Sequence, residues 1–168
     1  MMKRKDLFMG STEISATRTI GDIQSFLIRA GALQILTDYD PKTREPRGLS
    51  FTLLINSMTI PFKLPARIEP IYKILHYGRS DYAYKEKDQE QAKRVAWRQL
   101  YRWVQAQVAL IECGMVEAAE VFYPYLQVNA QQTVYERAIK QGLERLALTE
   151  GDPESNHDSM DAEPLESR

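Results

Sequence analysis

The segment that decides the fold class is residues 33–65, which read LQILTDYDPKTREPRGLSFTLLINSMTIPFKLP. Apolar and polar residues alternate there in three runs, as they do in strands that bury one face. The turn-rich stretch 41–48 separates the first two runs, and Asn56-Ser57 is typical of a tight turn between the second and third. Pro61 has no backbone N–H, which places the third strand at a sheet edge. The sequence therefore predicts a three-stranded antiparallel meander.

Helical periodicity predicts helices on both sides of this meander. Residues 19–30 are expected to form a helix, with Thr19 as its N-cap and Gly31 as its stop. Beyond the meander, the pattern predicts a short helix near Pro70 and a long helix from about Asp88 to Cys113. A further helix is expected from Glu117 to a point before Pro124. The last helix is expected to start with a capping box of Thr133 and Glu136 and to extend to about Ala147. The fold class is thus α+β: a helix, a three-stranded antiparallel meander, and a helical second half with one long helix.

The length and composition of the chain fit one domain. With 168 residues, of which 43% are hydrophobic, the chain can bury a core without disulfides or a structural metal. Residues 150–168 hold seven acids and one base, and they leave 21 basic and 16 acidic residues, a formal charge of +5, on residues 1–149. We therefore expect a flexible N-terminus over residues 1–11, a single α+β domain over residues 12–148 and a disordered acidic tail over residues 149–168.

Cysteine and histidine, the residue types that indicate disulfides and metal sites, are few in this sequence. The single cysteine, Cys113, cannot form an internal disulfide, which favours a reducing, cytoplasmic location. No apolar segment follows the basic start, so neither a signal peptide nor a membrane span is expected. The two histidines, His76 and His157, are too few for a common zinc site, and no glycine-rich nucleotide motif is present. We expect no cofactor and no metal.

The first group of candidate binding residues lies on the long helix. Arg94, Arg98 and Arg102 recur every four residues and align opposite its apolar face; we call them the arginine stripe. The stripe spans roughly 12 Å, enough for guanidinium groups to follow several phosphates. The alternative is a solvated helix face on which Glu90 pairs with Arg94.

Aromatic residues beside basic ones are the second candidate feature. Trp97 and Tyr101 border the arginine stripe, where each either stacks on a nucleic-acid base or packs against a neighbouring helix. The charged loop 79–87 suits single-stranded nucleic acid or an acidic protein partner, unless its tyrosines fold back onto the domain. The loop candidates are Arg79, Tyr82, Tyr84, Lys85 and Lys87.

The sequence offers one minor candidate for catalysis. Asp38 and Asp40 lie two residues apart at a strand end, and with Glu45 they could hold a divalent metal, as in some nucleases. The alternative is an ordinary turn, in which aspartate is common. Because the usual motifs of hydrolases and nucleotide-dependent enzymes are missing, we predict a protein that is not an enzyme.

Four segments resemble a family of small uncharacterised proteins from bacteriophage and mobile-element genomes. These segments are GLSF at 48–51, PFKLPAR at 61–67, QAKRVAWRQLYRWVQAQVALIECGM at 91–115 and EVFYPYL at 120–126. The similarity covers most of residues 12–137. It implies a genomic setting that is rich in small nucleic-acid-binding accessories and in inhibitors of host systems, and it assigns no activity to any residue.

Two functional hypotheses follow. The first is a non-enzymatic nucleic-acid-binding accessory protein, which holds single-stranded nucleic acid with the arginine stripe and the 79–87 loop. The second is a protein-interaction module, such as a phage adaptor or an inhibitor of a host protein, which uses the same aromatic and arginine side chains.

Overall fold

The computed structural model describes residues 6–78 and 84–142. Within them the elements are α1 (Ala16–Arg29), β1 (Ala32–Tyr39), β2 (Pro46–Ile55), β3 (Met58–Pro65), α2 (Ile68–His76), α3 (Lys85–Glu112), α4 (Ala118–Phe122), a 3₁₀ turn (Tyr123–Tyr125) and α5 (Val134–Gln141). This order confirms the predicted α+β class. The expected acidic tail, the loop residues Arg79 and Tyr82, and the last residues of the final predicted helix lie outside the described residues.

Helix α1 begins one turn earlier than the sequence pattern predicted. Ser15, not Thr19, is the N-cap: its Oγ accepts a hydrogen bond from the backbone N–H of Arg18 at 3.3 Å. Thr19 is fully buried, and its hydroxyl donates to the carbonyl of Ser15 at 3.0 Å. A hydroxyl is a good cap in either position, and the first turn of α1 adds few apolar residues to the periodic pattern, so the pattern alone marked the start too late.

The three strands form an antiparallel sheet in the order β1-β2-β3. Asn56 and Ser57 both have positive φ, at 50° and 64°, and they form the two-residue turn between β2 and β3. On β2 the alternation is borne out, because Leu49, Phe51 and Leu53 are all buried. The predicted meander is therefore confirmed.

One face of the sheet packs against α1 and α3, and the opposite face lies largely open. The pairing of Gln34 with Thr52 and of Leu36 with Ser50 places these side chains on the open face. Leu36 and Leu54 remain exposed there. Strand β3 is at the sheet edge as predicted, where the backbone N–H of Gln127 donates to the carbonyl of Pro61 at 2.9 Å.

Helix α3 holds the domain together because it contributes to both hydrophobic clusters. In the larger cluster, Trp97, Val104 and Val108 pack with α1, with the covered face of the sheet and with Phe122. In the smaller cluster, Ala92, Val95 and Ala96 pack with α2 and Leu7. Burial of this kind is the main favourable term in folding, and Trp97, Val95, Val104 and Val108 are all fully buried.

The segment that precedes α1 is packed against α3. The side-chain amide of Gln91 donates to the carbonyls of Gly10 and Thr12, at 3.0 and 2.9 Å. Gln99 donates to the carbonyl of Phe8 at 2.7 Å, and Leu7 is buried. Residues 6–11 are therefore attached to the domain, in contrast to the flexible N-terminus expected for residues 1–11. The reason is that the two glutamines supply hydrogen bonds for the carbonyls of a segment made mainly of turns.

Candidate functional site

The arginine stripe is not the open basic surface that its interpretation as a phosphate-binding site requires. Arg94 lies 3.7 Å from Glu90, the pairing expected for an ordinary solvated helix face. Arg98 has a side chain only 11% exposed, and its Nη1 lies 3.4 Å from Oδ2 of Asp22 on α1. Arg102 is exposed and donates to Gln105 at 3.0 Å. Of the three, only Arg102 presents its guanidinium to solvent without an acidic neighbour in the part of the chain that the structure describes.

The two aromatic residues beside the stripe also have structural positions. Trp97 is 0% exposed and lies in the larger hydrophobic cluster, so it cannot stack on a base, and its inclusion among the binding residues is corrected. Tyr101 packs edge-on against Phe26, with ring centroids 5.7 Å apart. The Arg98 guanidinium lies over the Tyr101 ring, 4.1 Å from its centroid. These contacts among Arg98, Tyr101 and Phe26 join α3 to α1.

Two of the basic residues that the sequence assigned to a loop, Lys85 and Lys87, belong to the start of α3. Lys85 and Lys87 lie in the first turn of the helix, which begins before the predicted position near Asp88, and Tyr84 directly precedes it. Asp88 is buried and its Oδ2 lies 3.1 Å from Nδ1 of His76, at the end of α2. This contact fixes the start of α3 against α2, so the helix forms earlier than the polar composition predicted.

The acidic residues proposed as a metal site have separate partners. Oδ1 of Asp40 accepts the backbone N–H groups of Thr43 and Lys42, at 2.9 Å each, and these bonds hold the pKa of Asp40 below its ordinary value. Asp38 accepts the hydroxyl of Ser50 at 2.8 Å. Across residues 6–78 and 84–142, no three His, Cys, Asp or Glu side chains come together in a way that could hold a metal ion.

Glu45, the third candidate ligand, pairs with Lys93 of α3 at 3.0 Å. Partial burial alone would lower the pKa of the Lys93 ammonium group. The hydrogen bond and the charge of Glu45, with a contribution from Glu90, outweigh that effect and raise the pKa of Lys93 above its ordinary value. The pair attaches the β1–β2 turn to the long helix.

A groove that the sequence did not predict lies between α2, α3 and the 3₁₀ turn; we call it the α2–α3 groove. Its volume is about 360 Å³, near the lower end of the range for small-molecule sites. Its polar lining side chains are Arg67 and Gln99. The rest of the lining is apolar or aromatic: Pro65, Ala66, Pro70, Ile71, Ala96, Leu100, Trp103 and Tyr125.

A smaller cavity, lined mainly by residues with polar or charged side chains, adjoins the groove, and we call it the polar recess. Its volume is about 50 Å³, and it shares Pro65, Arg67 and Tyr125 with the groove. Its remaining lining residues are Lys63, Gln131, Thr133, Tyr135 and Glu136. An apolar compartment and a cationic compartment are thus contiguous on one surface.

The groove and the recess unite residues that are distant in the sequence. Strand β3 and the start of α2 supply residues 63–71, α3 supplies residues 96–103, and Tyr125 comes from the 3₁₀ turn. The recess also takes residues 131–136, from the segment before α5 and from its first turn. The groove residues fall largely within the quoted segments 61–67, 91–115 and 120–126, whereas residues 131–136 of the recess lie outside them. No local spacing signals such a site, because its geometry exists only after three separate elements have packed.

No helix within the described part of the chain is both long enough and apolar enough to cross a membrane. Comparisons with protein-family models, with curated proteins and with solved structures found no match to this chain.

Proposed function

We propose that this protein is a non-enzymatic protein-interaction module, and that its α2–α3 groove receives a bulky apolar side chain from a segment of a partner protein. The single observation that supports this function best is the groove itself: an open, mostly apolar cleft with Trp103 and Tyr125 in its lining. Tryptophan, tyrosine and arginine are the residue types that dominate binding energy at protein interfaces, and Arg67 adds the third of them. An adaptor or inhibitor encoded by a mobile element is the setting that we propose for such a module.

Single-stranded nucleic acid is the second candidate ligand. Lys63 and Arg67 next to the exposed Tyr135 favour it, since such proteins combine cations with aromatic stacking. The engagement of Arg94 and Arg98 by acidic residues weighs against the arginine stripe as its phosphate-binding surface, because each ion pair would have to break before a phosphate could bind.

The test is a selection of short random peptides on the purified full-length protein, followed by fluorescence anisotropy with each enriched peptide. Pro70 is exposed at the rim, so Pro70→Trp should fill the groove while leaving the core intact. Ile28→Trp is the matched control, because Ile28 is 63% exposed on α1, which contributes nothing to the groove lining. Enriched peptides should contain bulky apolar residues and bind wild type and Ile28→Trp alike, with binding to Pro70→Trp at least about tenfold weaker.

Two results would contradict the proposal. The first is enrichment of peptides that bind Pro70→Trp as tightly as wild type. The second is the absence of enriched peptides. Binding of a labelled oligothymidylate whose affinity falls steeply with salt would then establish nucleic-acid binding instead.

A further inference from the structure

We propose that the polar recess binds a carboxylate, so that the preferred partner segment is acidic and places an aspartate or glutamate side chain next to its bulky apolar residue. This inference rests on the proposed function and specifies the chemistry of the partner.

The cations of the recess are available to a ligand. Neither Lys63 nor Arg67 has an ion-pair partner among residues 6–78 and 84–142. Several other cations of the domain are already neutralised by close carboxylates: Arg29 by Glu112, Lys73 by Glu69, Lys93 by Glu45, Arg94 by Glu90 and Arg98 by Asp22. The recess thus brings together two cations that no carboxylate within residues 6–78 and 84–142 neutralises.

The acidic residue of the recess is committed to the backbone. Oε2 of Glu136 accepts the backbone N–H of Thr133 at 3.0 Å, as part of the capping box at the start of α5. One carboxylate against two cations leaves the recess with a formal charge of +1. A further anion is therefore attracted to it, and an additional cation is repelled.

Because the recess adjoins the groove, one ligand can place a charged group in the recess and an apolar side chain in the groove. Because Arg67 and Tyr125 line both compartments, a carboxylate in the recess and an apolar side chain in the groove lie on either side of the same two residues. Arg67 is exposed at the N-cap of α2, and its guanidinium fork can hold a carboxylate by two parallel hydrogen bonds. The tyrosine hydroxyls of Tyr125 and Tyr135 are further possible donors. A peptide segment that carries both groups close together matches this arrangement.

The experiment uses the peptides enriched on wild-type protein and measures each by fluorescence anisotropy. The enriched peptides should contain aspartate or glutamate beside the apolar residue. Changing that acid to its amide should weaken binding about tenfold, and Arg67→Glu should do the same, as expected for loss of a charged hydrogen bond. Arg18→Glu is the matched control, since this substitution makes the same change in net charge. Arg18 is exposed on α1 and lines neither compartment.

A charge exchange makes the test specific. A peptide in which the acid is replaced by lysine should bind Arg67→Glu more tightly than it binds wild type. If peptides bind in the groove but neither their acid nor Arg67 affects the affinity, the carboxylate inference is wrong and the proposed function stands. If no peptide binds, both are wrong, and binding of an oligothymidylate that Arg67→Glu abolishes would assign the recess to phosphate groups instead.

Discussion

Replacing Arg98 with glutamine should lower the free energy of unfolding by about 2 kcal/mol, although Arg98 lies on the predicted polar face of a helix. Its Nη1 lies 3.4 Å from Asp22, and its guanidinium lies over Tyr101 at 4.1 Å. A cation–π contact contributes roughly 0.5–2 kcal/mol, and an ion pair with a partly exposed acid roughly 0.2–1 kcal/mol. Packing of the buried alkyl chain adds to this sum, whereas the buried Nε, which has no acceptor among the described residues, subtracts from it.

The measurement is urea unfolding followed by circular dichroism, with thermal unfolding beside it. For a domain of this size, about 2 kcal/mol corresponds to a fall in Tm of roughly 4–8 °C. Arg102→Gln is the matched control, because it is the same substitution four residues further along the same helix, at an exposed position. The change in the free energy of unfolding that it causes should stay within about 0.5 kcal/mol. Glutamine and arginine have similar helix propensities, so helix formation itself does not account for a difference between the two variants.

A double-mutant cycle with Asp22→Asn separates the ion pair from the ring contact. The coupling energy between Arg98 and Asp22 should be about 0.2–1 kcal/mol, and the remainder belongs to Tyr101 and to packing. Equal stability of Arg98→Gln and Arg102→Gln would show that Arg98 is an ordinary surface residue, and the structural assignment of the central arginine would be refuted.

Three further results are expected. Gly48→Ala should lower the free energy of unfolding in urea by about 1–3 kcal/mol, since the new Cβ would lie 2.8 Å from the carbonyl oxygen of Leu64. Gly21→Ala, in the interior of α1 with open space around it, should raise it by about 0.5–1 kcal/mol. Equal effects would contradict the packing of β2 against β3. Trp97→Ala should cost about 3–5 kcal/mol in the same assay, and a loss below about 1 kcal/mol would be incompatible with full burial. In a carbon NMR titration the pKa of the Asp40 carboxyl should lie below its ordinary value of 3.8. The hydrogen bonds of the turn therefore stabilise the fold above pH 3.8, and this stabilisation is lost as the pH falls through the folded-state pKa. A midpoint at or above 3.8 would rule out these hydrogen bonds.

The features that the sequence predicted correctly depend on neighbours along the chain. The alternation of Leu49, Phe51 and Leu53 predicted the buried face of β2, and Asn56-Ser57 predicted the turn that follows it. The capping box of Thr133 and Glu136 is present as predicted, with both of its hydrogen bonds. Such signals are local, since the residues that interact are within a few positions of each other.

The candidate site was harder to predict because its determinants are tertiary. Helical spacing places Arg98 on the polar face of α3, but a helix has more than one neighbour, and α1 covers that side with Asp22 and Phe26. Trp97 was ambiguous for the same reason, as a residue at the boundary between two faces is buried or exposed according to what packs there. The α2–α3 groove requires three elements in place, and no residue pattern within any one of them reports the space between them.

The position of α3 late in the chain also has a consequence for how the protein is synthesised. The covered face of the sheet is complete once Pro65 has left the ribosome, but its partners Val104, Val108 and Phe122 are made later. During that interval Leu49, Phe51 and their neighbours have only α1 to cover them. We therefore expect the nascent chain to present an apolar strand surface that suits chaperone binding, and a fragment that ends after α2 to aggregate rather than fold.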